Sequence, residues 1–355
     1  MSIREDAAEL HGDAVALRHA LHREPEVGLH LPRTQEKVLA ALDGLPLEIS
    51  TGKGLSSVTA VLRGGEPGPA VLLRGDMDAL PVRENSAVDY RSTVDGLMHA
   101  CGHDTHTAML ATAARLLCAH REKLAGDVVF MFQPGEEGHD GARHMVSEGV
   151  LDATGQRVAA AYAVHVSSNR TPFGVFSTRG GPLLASSSTL RVTVRGAGGH
   201  GSTPHAAKDP VPAACEMVTA LQTLVTRHFD VFDPVVLTVG SFHAGTKENV
   251  IPDTAHFDAT VRCFSQESLA AMREKSVAVC AGTAMAHGLD VETEFEEMYP
   301  VTINDVDEAA FAATTVAEVH GEQRYRELEH PQTAAEDFSR VLDAVPGAMV
   351  MLGAC

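Results

Sequence analysis

"AVLLRGDMDAL" occupies residues 70–80. Its first half is a short, continuous apolar run, the pattern of a strand buried on both faces of a sheet. Two more such runs follow: "DVVFMFQ" at 127–133, stopped by Pro134-Gly135, and "AAAYAVHV" at 159–166. Between the first two lies "THTAMLATAARLLCAHREKL" (105–124), an amphipathic helix that Asp104 or Thr105 is placed to cap. Upstream, "EDAAELHGDAVALRHALHRE" (5–24) reads as a helix through Leu10, Leu17 and Leu21, ended by Pro25. Strands alternating with helices predict an α/β domain on a parallel or mixed sheet.

Each run delivers polar residues at its end. "AVLLR" leads to Asp76 and Asp78, "DVVFMFQPG" to Glu136 and Glu137, and "AYAV" to His165. Sites in open α/β sheets form at the carboxyl ends of strands, so three strands are expected to bring ligand-type side chains to one edge. The loop "HACGHDTH" (99–106) adds three histidines, Cys101 and Asp104 just ahead of a helix.

From about residue 186 the pattern changes. "STLRVTVRG" (188–196) alternates like a half-buried strand, and "DPVPAACEMVTALQTLVTR" (209–227) is helical. "PVVLTVGSF" (234–242) and "TAHFDATVRCF" (254–264) are strands, "SQESLAAMREKSVAVCAGTAMAHG" (265–288) is a helix, and "LDVETEFEE" (289–297) is a strand. This β-α-β-β-α-β order is the split βαβ, ferredoxin-like arrangement. A helical pattern (299–321) and a last apolar run, "AMVMLGA", follow. The expectation is a discontinuous first domain, 1–185 and 299–355, carrying an inserted domain at 186–298.

The 355 residues fit two domains by length. A net charge of -19, from 28 basic and 47 acidic residues, argues against nucleic-acid or anionic-lipid partners. No apolar run reaches the roughly 18 residues of a membrane span. The N-terminus "MSIREDAAEL" lacks a signal-peptide core, so a cytoplasmic protein is expected. Cys101, Cys118, Cys215, Cys263, Cys280 and Cys355 match no disulfide framework. Cys118, Cys215 and Cys280 sit in helical patterns and read as small core residues; only Cys101 has ligand-type neighbours.

Thiolate, imidazole and carboxylate together suit Zn²⁺ or a neighbouring transition metal, whereas oxygen-only clusters would suit Mg²⁺ or Ca²⁺. Adjacent Glu136 and Glu137 are expected to point different ways, one toward a metal and one toward an activated water, an assembly that hydrolyses amides. "GAGGHGSTPH" (196–205) places His200 in an exposed Gly-rich loop, and "KENVIPDTAHFDATVRC" places Asn249 before a strand and Arg262 near its end. That loop also reads as a plain linker, and Arg262 as a surface charge or a clamp for a substrate carboxylate.

Taken in order, "LHREPEVGL", "RGDMDALPV", "HACGHDTHTAML", "QPGEEG", "GGHGSTPH", "NVIPDT" and "AEDFS" resemble the metal-dependent aminoacylase/carboxypeptidase superfamily. "HACGHD" with "PGEE" at this spacing is similar to its amidohydrolase branch, which holds hippurate hydrolases, indole-acetyl-amino-acid hydrolases and N-acyl-amino-acid amidohydrolases. The resemblance implies a metallohydrolase domain with an inserted lid or dimerisation domain. It implies Cys101, His103, Glu137 and His165 as ligands to one or two divalent ions (Zn, Mn, Co or Ni), Glu136 as general base, and Asp78 as the acid behind the metal. His200 would reach the partner subunit's site in a homodimer, and Asn249 and Arg262 would hold the polar end of an N-acyl amino acid. In that family a further ligand His follows the stretch matching "AEDFS"; here the last His is His330, ahead of it. Three functions stay open: an N-acyl-amino-acid amidohydrolase, an inactive relative serving as a dimeric binding protein, and a dipeptidase. The Cys-containing loop speaks against the last.

Overall fold

Residues 3–168 and 171–354 are described by the computed structural model. The chain divides into two units. The first comprises Met1–Leu183, Ile303–His330 and Asp337–Cys355; the second comprises Leu184–Thr302 and Pro331–Glu336. Cys355 lies outside the described residues.

The first unit is α/β. Its seven-stranded mixed sheet runs Glu48–Thr51, Val58–Leu62, Val128–Gln133, Val71–Asp76, Ala160–Ser167, Gly347–Gly353 and Phe176–Ser177. The four strands from Val128–Gln133 to Gly347–Gly353 are mutually parallel. Every residue of Val128–Gln133 is buried, as a continuous apolar run requires when both sheet faces are covered. Phe130, Phe132, Val58, Leu62, Leu110 and Ala114 share one core with Val38 and Leu42 of the helix Pro32–Leu42. Parallel strands end on the same side, and the register is explicit: Asp76 stands beside Gln133, and Arg74 beside Ala163.

Three helix limits differ from expectation; the pattern at 299–321 is a short strand, Thr302–Asn304, followed by the helix Val306–His320. The N-terminal helix breaks at Leu10 into Ile3–Glu9 and His11–Arg23. The central helix runs His103–Ala119, two residues earlier than its periodicity suggested, and neither Asp104 nor Thr105 caps it. Gly102 precedes it at φ +89°, and a Cβ there would lie 2.4 Å from Val166 Cγ2. A left-handed glycine thus starts the helix, which frees the Asp104 side chain for other partners.

The second unit has the β-α-β-β-α-β order. Its antiparallel sheet runs Val236–Ala244, Thr254–Arg262, Ser187–Arg195, Asp290–Tyr299. Leu190, Val192 and Val194 alternate into a core with Phe257, Val261, Met217 and Met272, the last two from the helices Pro210–His228 and Gln266–Ala286. Asp209 and Ser265 cap those helices through their side chains. Cys280 is buried there as expected, but Cys215 is exposed, on the outer side of its helix. Among the described residues no helix is long and apolar enough to cross a membrane.

Candidate metal centre

The polar strand ends and the 99–106 loop meet at one edge of the first unit. Cys101, His103 and His165 bring their ligand atoms within 4.8 Å of one another, and so do His103, Glu136 and Glu137. The four expected ligands therefore fall into two groups that share His103. Cys101 Sγ lies 3.4 Å from His165 Nε2. His103 Nε2 lies 4.0 Å from Glu136 Oε2 and 4.0 Å from Glu137 Oε1. The adjacent carboxylates thus do not point apart, contrary to the sequence reading: the Pro134-Gly135 turn brings both toward one imidazole. What distinguishes them is their other surroundings. Glu136 is the more buried, and Glu137 interacts with the Cys101 thiol.

Backbone and carboxylate partners fix the two histidines. His103 Nδ1 donates to the Asp78 carbonyl at 2.8 Å, which turns Nε2 toward the donor cluster. That atom is fully buried and has no hydrogen-bond partner. His165 Nδ1 donates to the Val166 carbonyl at 2.6 Å, turning its Nε2 toward Cys101. A buried orphan nitrogen is expensive, and here it faces soft and hard donors of the kinds that Zn²⁺ and its neighbours accept. The donor set fits a divalent ion.

Burial, then the neighbouring His106, pushes His165 down to about 3, so its ring is a neutral donor. Burial raises both the Cys101 thiol and the Glu137 carboxyl. Burial also opposes charge on His103, but Asp76 and Asp78 outweigh it and lift this histidine well above its ordinary range.

Asp78 spends both oxygens on the backbone: Oδ1 accepts from Glu136 N at 2.9 Å and Oδ2 from Glu137 N at 3.0 Å. It orients the pair of glutamates and, through its carbonyl, His103. Sequence reasoning missed its equivalent one layer deeper. Asp76 accepts from His106 Nδ1 at 2.6 Å, and His106 Nε2 accepts from Val166 N at 2.9 Å. Both ring nitrogens of His106 are thus used, although Asp76, His103 and His106 also stand within ligand distance. The signal was present: His106 is three residues beyond His103 on one helix face. Arg74, itself 2% exposed at its side chain, pairs with Asp76 and reaches Asp337 Oδ1 at 3.0 Å. Asp337 also accepts from Gln133 Nε2 and Ala142 N, tying "AEDFS" to the glutamate loop. Removing Arg74 leaves two buried carboxylates uncompensated. Arg74→Ala is expected to cost about 3–5 kcal/mol, read as a lower urea midpoint; an unchanged midpoint would contradict this.

The remaining expected site residues lie in the second unit. Gly199–His200 pairs with Val250–Ile251, placing His200 opposite Val250, and Gly201 N donates to the Asn249 carbonyl at 2.9 Å. His200 is exposed, and its Nδ1 accepts from Ser202. The fold brings His200 and Asn249 together but not Arg262. Gly196 and Gly198 bind Asp253, beside Thr254 at the start of the strand Thr254–Arg262. Arg262 is at its other end, roughly 27 Å away at the usual rise per residue. There it is half-buried, donates to the Val261 carbonyl, and is lowered by burial.

Comparison with known proteins places this geometry in a family. Residues 72–355 match peptidase family M20/M25/M40. Thermostable carboxypeptidase 2 of Saccharolobus solfataricus is 36% identical over 99% of this chain and 88% of its own length. Hippurate hydrolase of Campylobacter jejuni is 33% identical over 95% of this chain and 87% of its own length. The crystal structure of the Bacillus subtilis YXEP protein, a dinuclear metal binding peptidase from the M20 family, superposes with a TM-score of 0.83 at 32% identity, covering 98% of this chain and 89% of that one. The match over residues 72–355, with relatives 33–36% identical over nearly the whole chain, shows that the chain belongs to peptidase family M20/M25/M40.

Proposed function

We propose that this protein hydrolyses the amide bond of N-acyl amino acids, with Cys101, His103, Glu137 and His165 holding one or two divalent ions, Zn²⁺, Mn²⁺, Co²⁺ or Ni²⁺. One observation carries the reading: a buried imidazole nitrogen without a hydrogen bond, flanked by two carboxylates at 4.0 Å. When bound, such an ion supplies Lewis-acid activation of water and of the scissile carbonyl. Glu136 takes the proton of the attacking water on its carboxylate and passes it to the leaving nitrogen. Asp78 holds the Glu136 and Glu137 backbone while this happens. His200 donates a hydrogen bond to the oxyanion that develops on the carbonyl, and Asn249 and Arg262 hold the amino-acid carboxylate.

The separation of Arg262 from the His200–Asn249 turn supports a homodimer formed through the second unit. Residues held this far apart in one unit serve one substrate most simply when two copies contribute. The unpaired thiols of Cys101, Cys118, Cys215, Cys263 and Cys280 are what a reducing compartment maintains, in support of a cytoplasmic setting.

The test is a hydrolysis screen of N-acetyl, N-benzoyl and longer N-acyl amino acids beside dipeptides, after metal removal and again after adding each metal. Metal-dependent release from N-acyl amino acids is expected. A preference for dipeptides would replace this reading with a dipeptidase, and metal binding without any hydrolysis would point to a dimeric binding protein.

A further inference from the structure

Next to the metal centre lies a second buried polar cluster that the chemistry above does not use. Asp104 follows His103 directly and is 1% exposed. Its Oδ2 accepts from His22 Nδ1 at 2.8 Å and from Arg18 Nε at 3.0 Å. The other ring nitrogen of His22 lies 3.2 Å from Glu84 Oε1. Glu84 is fixed in turn by Ser92 N at 2.6 Å and by Ser86. Tyr90 covers the group, stacking on His19 at 3.8 Å, meeting His22 edge-on at 5.5 Å and accepting from Arg18.

With a carboxylate at each ring nitrogen, His22 donates from both and carries a proton. The Asp104 hydrogen bond accordingly raises it above its ordinary value, against the effect of burial. The His22 ring also lies 6.2 Å from that of His99, a buried histidine whose nitrogens both lack hydrogen-bond partners. His22 therefore touches the ligand loop on both sides of Cys101 and His103, at residues 99 and 104.

A carboxylate–imidazolium–carboxylate chain is a poor way to gain stability. Desolvating it costs more than filling the same space with apolar side chains. What such a chain supplies is direction. The helix that follows the turn starts without a side-chain cap: Gly102 is left-handed, and Asp104 turns to His22 and Arg18 instead. From this geometry we infer that His22 is a positioning residue of the metal centre. Through Asp104 it sets the angle at which Cys101 and His103 are presented. The inference rests on the reading of those two residues as metal ligands.

The test uses the full chain, stripped of metal, and measures Zn²⁺ affinity by competition with a chromogenic chelator, with the Tm of the metal-free protein alongside. His22→Gln is expected to weaken Zn²⁺ binding about 10- to 100-fold, as loss of a ligand's supporting contact does. Asp104→Asn should do the same, and the double variant should add little, because both remove one interaction. Leu21→Ala is the control. Leu21 is a buried neighbour on the same helix, 1% exposed, so its loss lowers Tm at least as much while Zn²⁺ affinity stays near wild type. Wild-type Zn²⁺ affinity in His22→Gln, or loss of affinity in proportion to Tm across all variants, would overturn the inference. If His22→Gln does not fold, Asp104→Asn carries the same comparison. Failure of the metal-centre reading looks different: the wild-type protein then binds no Zn²⁺, or Cys101→Ser binds it unchanged.

Discussion

Glu136→Gln is expected to lower kcat by about 10²–10⁴-fold, the usual cost of losing a general base, while metal content stays near wild type. The amide keeps the size of the side chain and leaves the backbone N–H that Asp78 holds. It cannot accept a proton and become a neutral acid. Glu137→Gln is the necessary counterpart. Glu137 shares surroundings with Cys101 as well as His103, so this change should reduce metal content first and activity as a consequence. Metal analysis beside kcat and KM separates the two. Because both carboxylates lie equally far from His103 Nε2, distance alone does not assign the roles, and reversed behaviour of the two variants would exchange them.

His200→Ala is expected to cut kcat by about 10²–10³-fold, the loss seen when one oxyanion donor is removed, with metal content unchanged. The imidazole stands on an exposed turn of the second unit, where Ser202 occupies Nδ1 and orients the ring. The proposed metal ligands all belong to the first unit. If His200 serves the partner's site, mixing His200→Ala with Glu136→Gln restores part of the activity, because a mixed dimer contains one site with both residues intact. Absence of recovery, once subunit exchange has been shown with labelled chains, would place His200 within its own chain's site or outside the reaction.

Much of this was legible in the chain. The continuous runs at 70–76 and 127–133 read as doubly covered strands and the alternation at 188–196 as a half-buried one, and strands stand there. Periodicity is local, and it survives folding because each side chain must face either core or water. The candidate site residues were legible for a related reason: Glu136, Glu137 and His165 sit at the ends of such segments, where parallel strands terminate together, and Cys101 and His103 crowd the turn ahead of a helix.

Other features were not legible, because they depend on partners distant in sequence. Nothing near Asp104 distinguishes a helix cap from an ion-pair partner; His22, 82 residues away, decides it. Nothing near Arg74 reveals Asp337, 263 residues on. Local spacing placed Glu136 and Glu137 on opposite sides, and the turn after Gln133 brought both toward His103 instead. Asn249 and Arg262 were placed before a strand and near its end; what sequence left open is their pairing, with Asn249 preceding the short strand Val250–Ile251 beside Gly199–His200 and Arg262 at the far end of Thr254–Arg262. The sequence by itself determined the main strands and helices around the site, the β-α-β-β-α-β order of the second unit and the kinds of donor atom, since each follows from short-range pattern and side-chain chemistry. The tertiary structure alone decided which donor lost its hydrogen-bond partner and which carboxylates bind backbone N–H groups, since burial and pairing are properties of contacts that exist only once the chain has closed on itself.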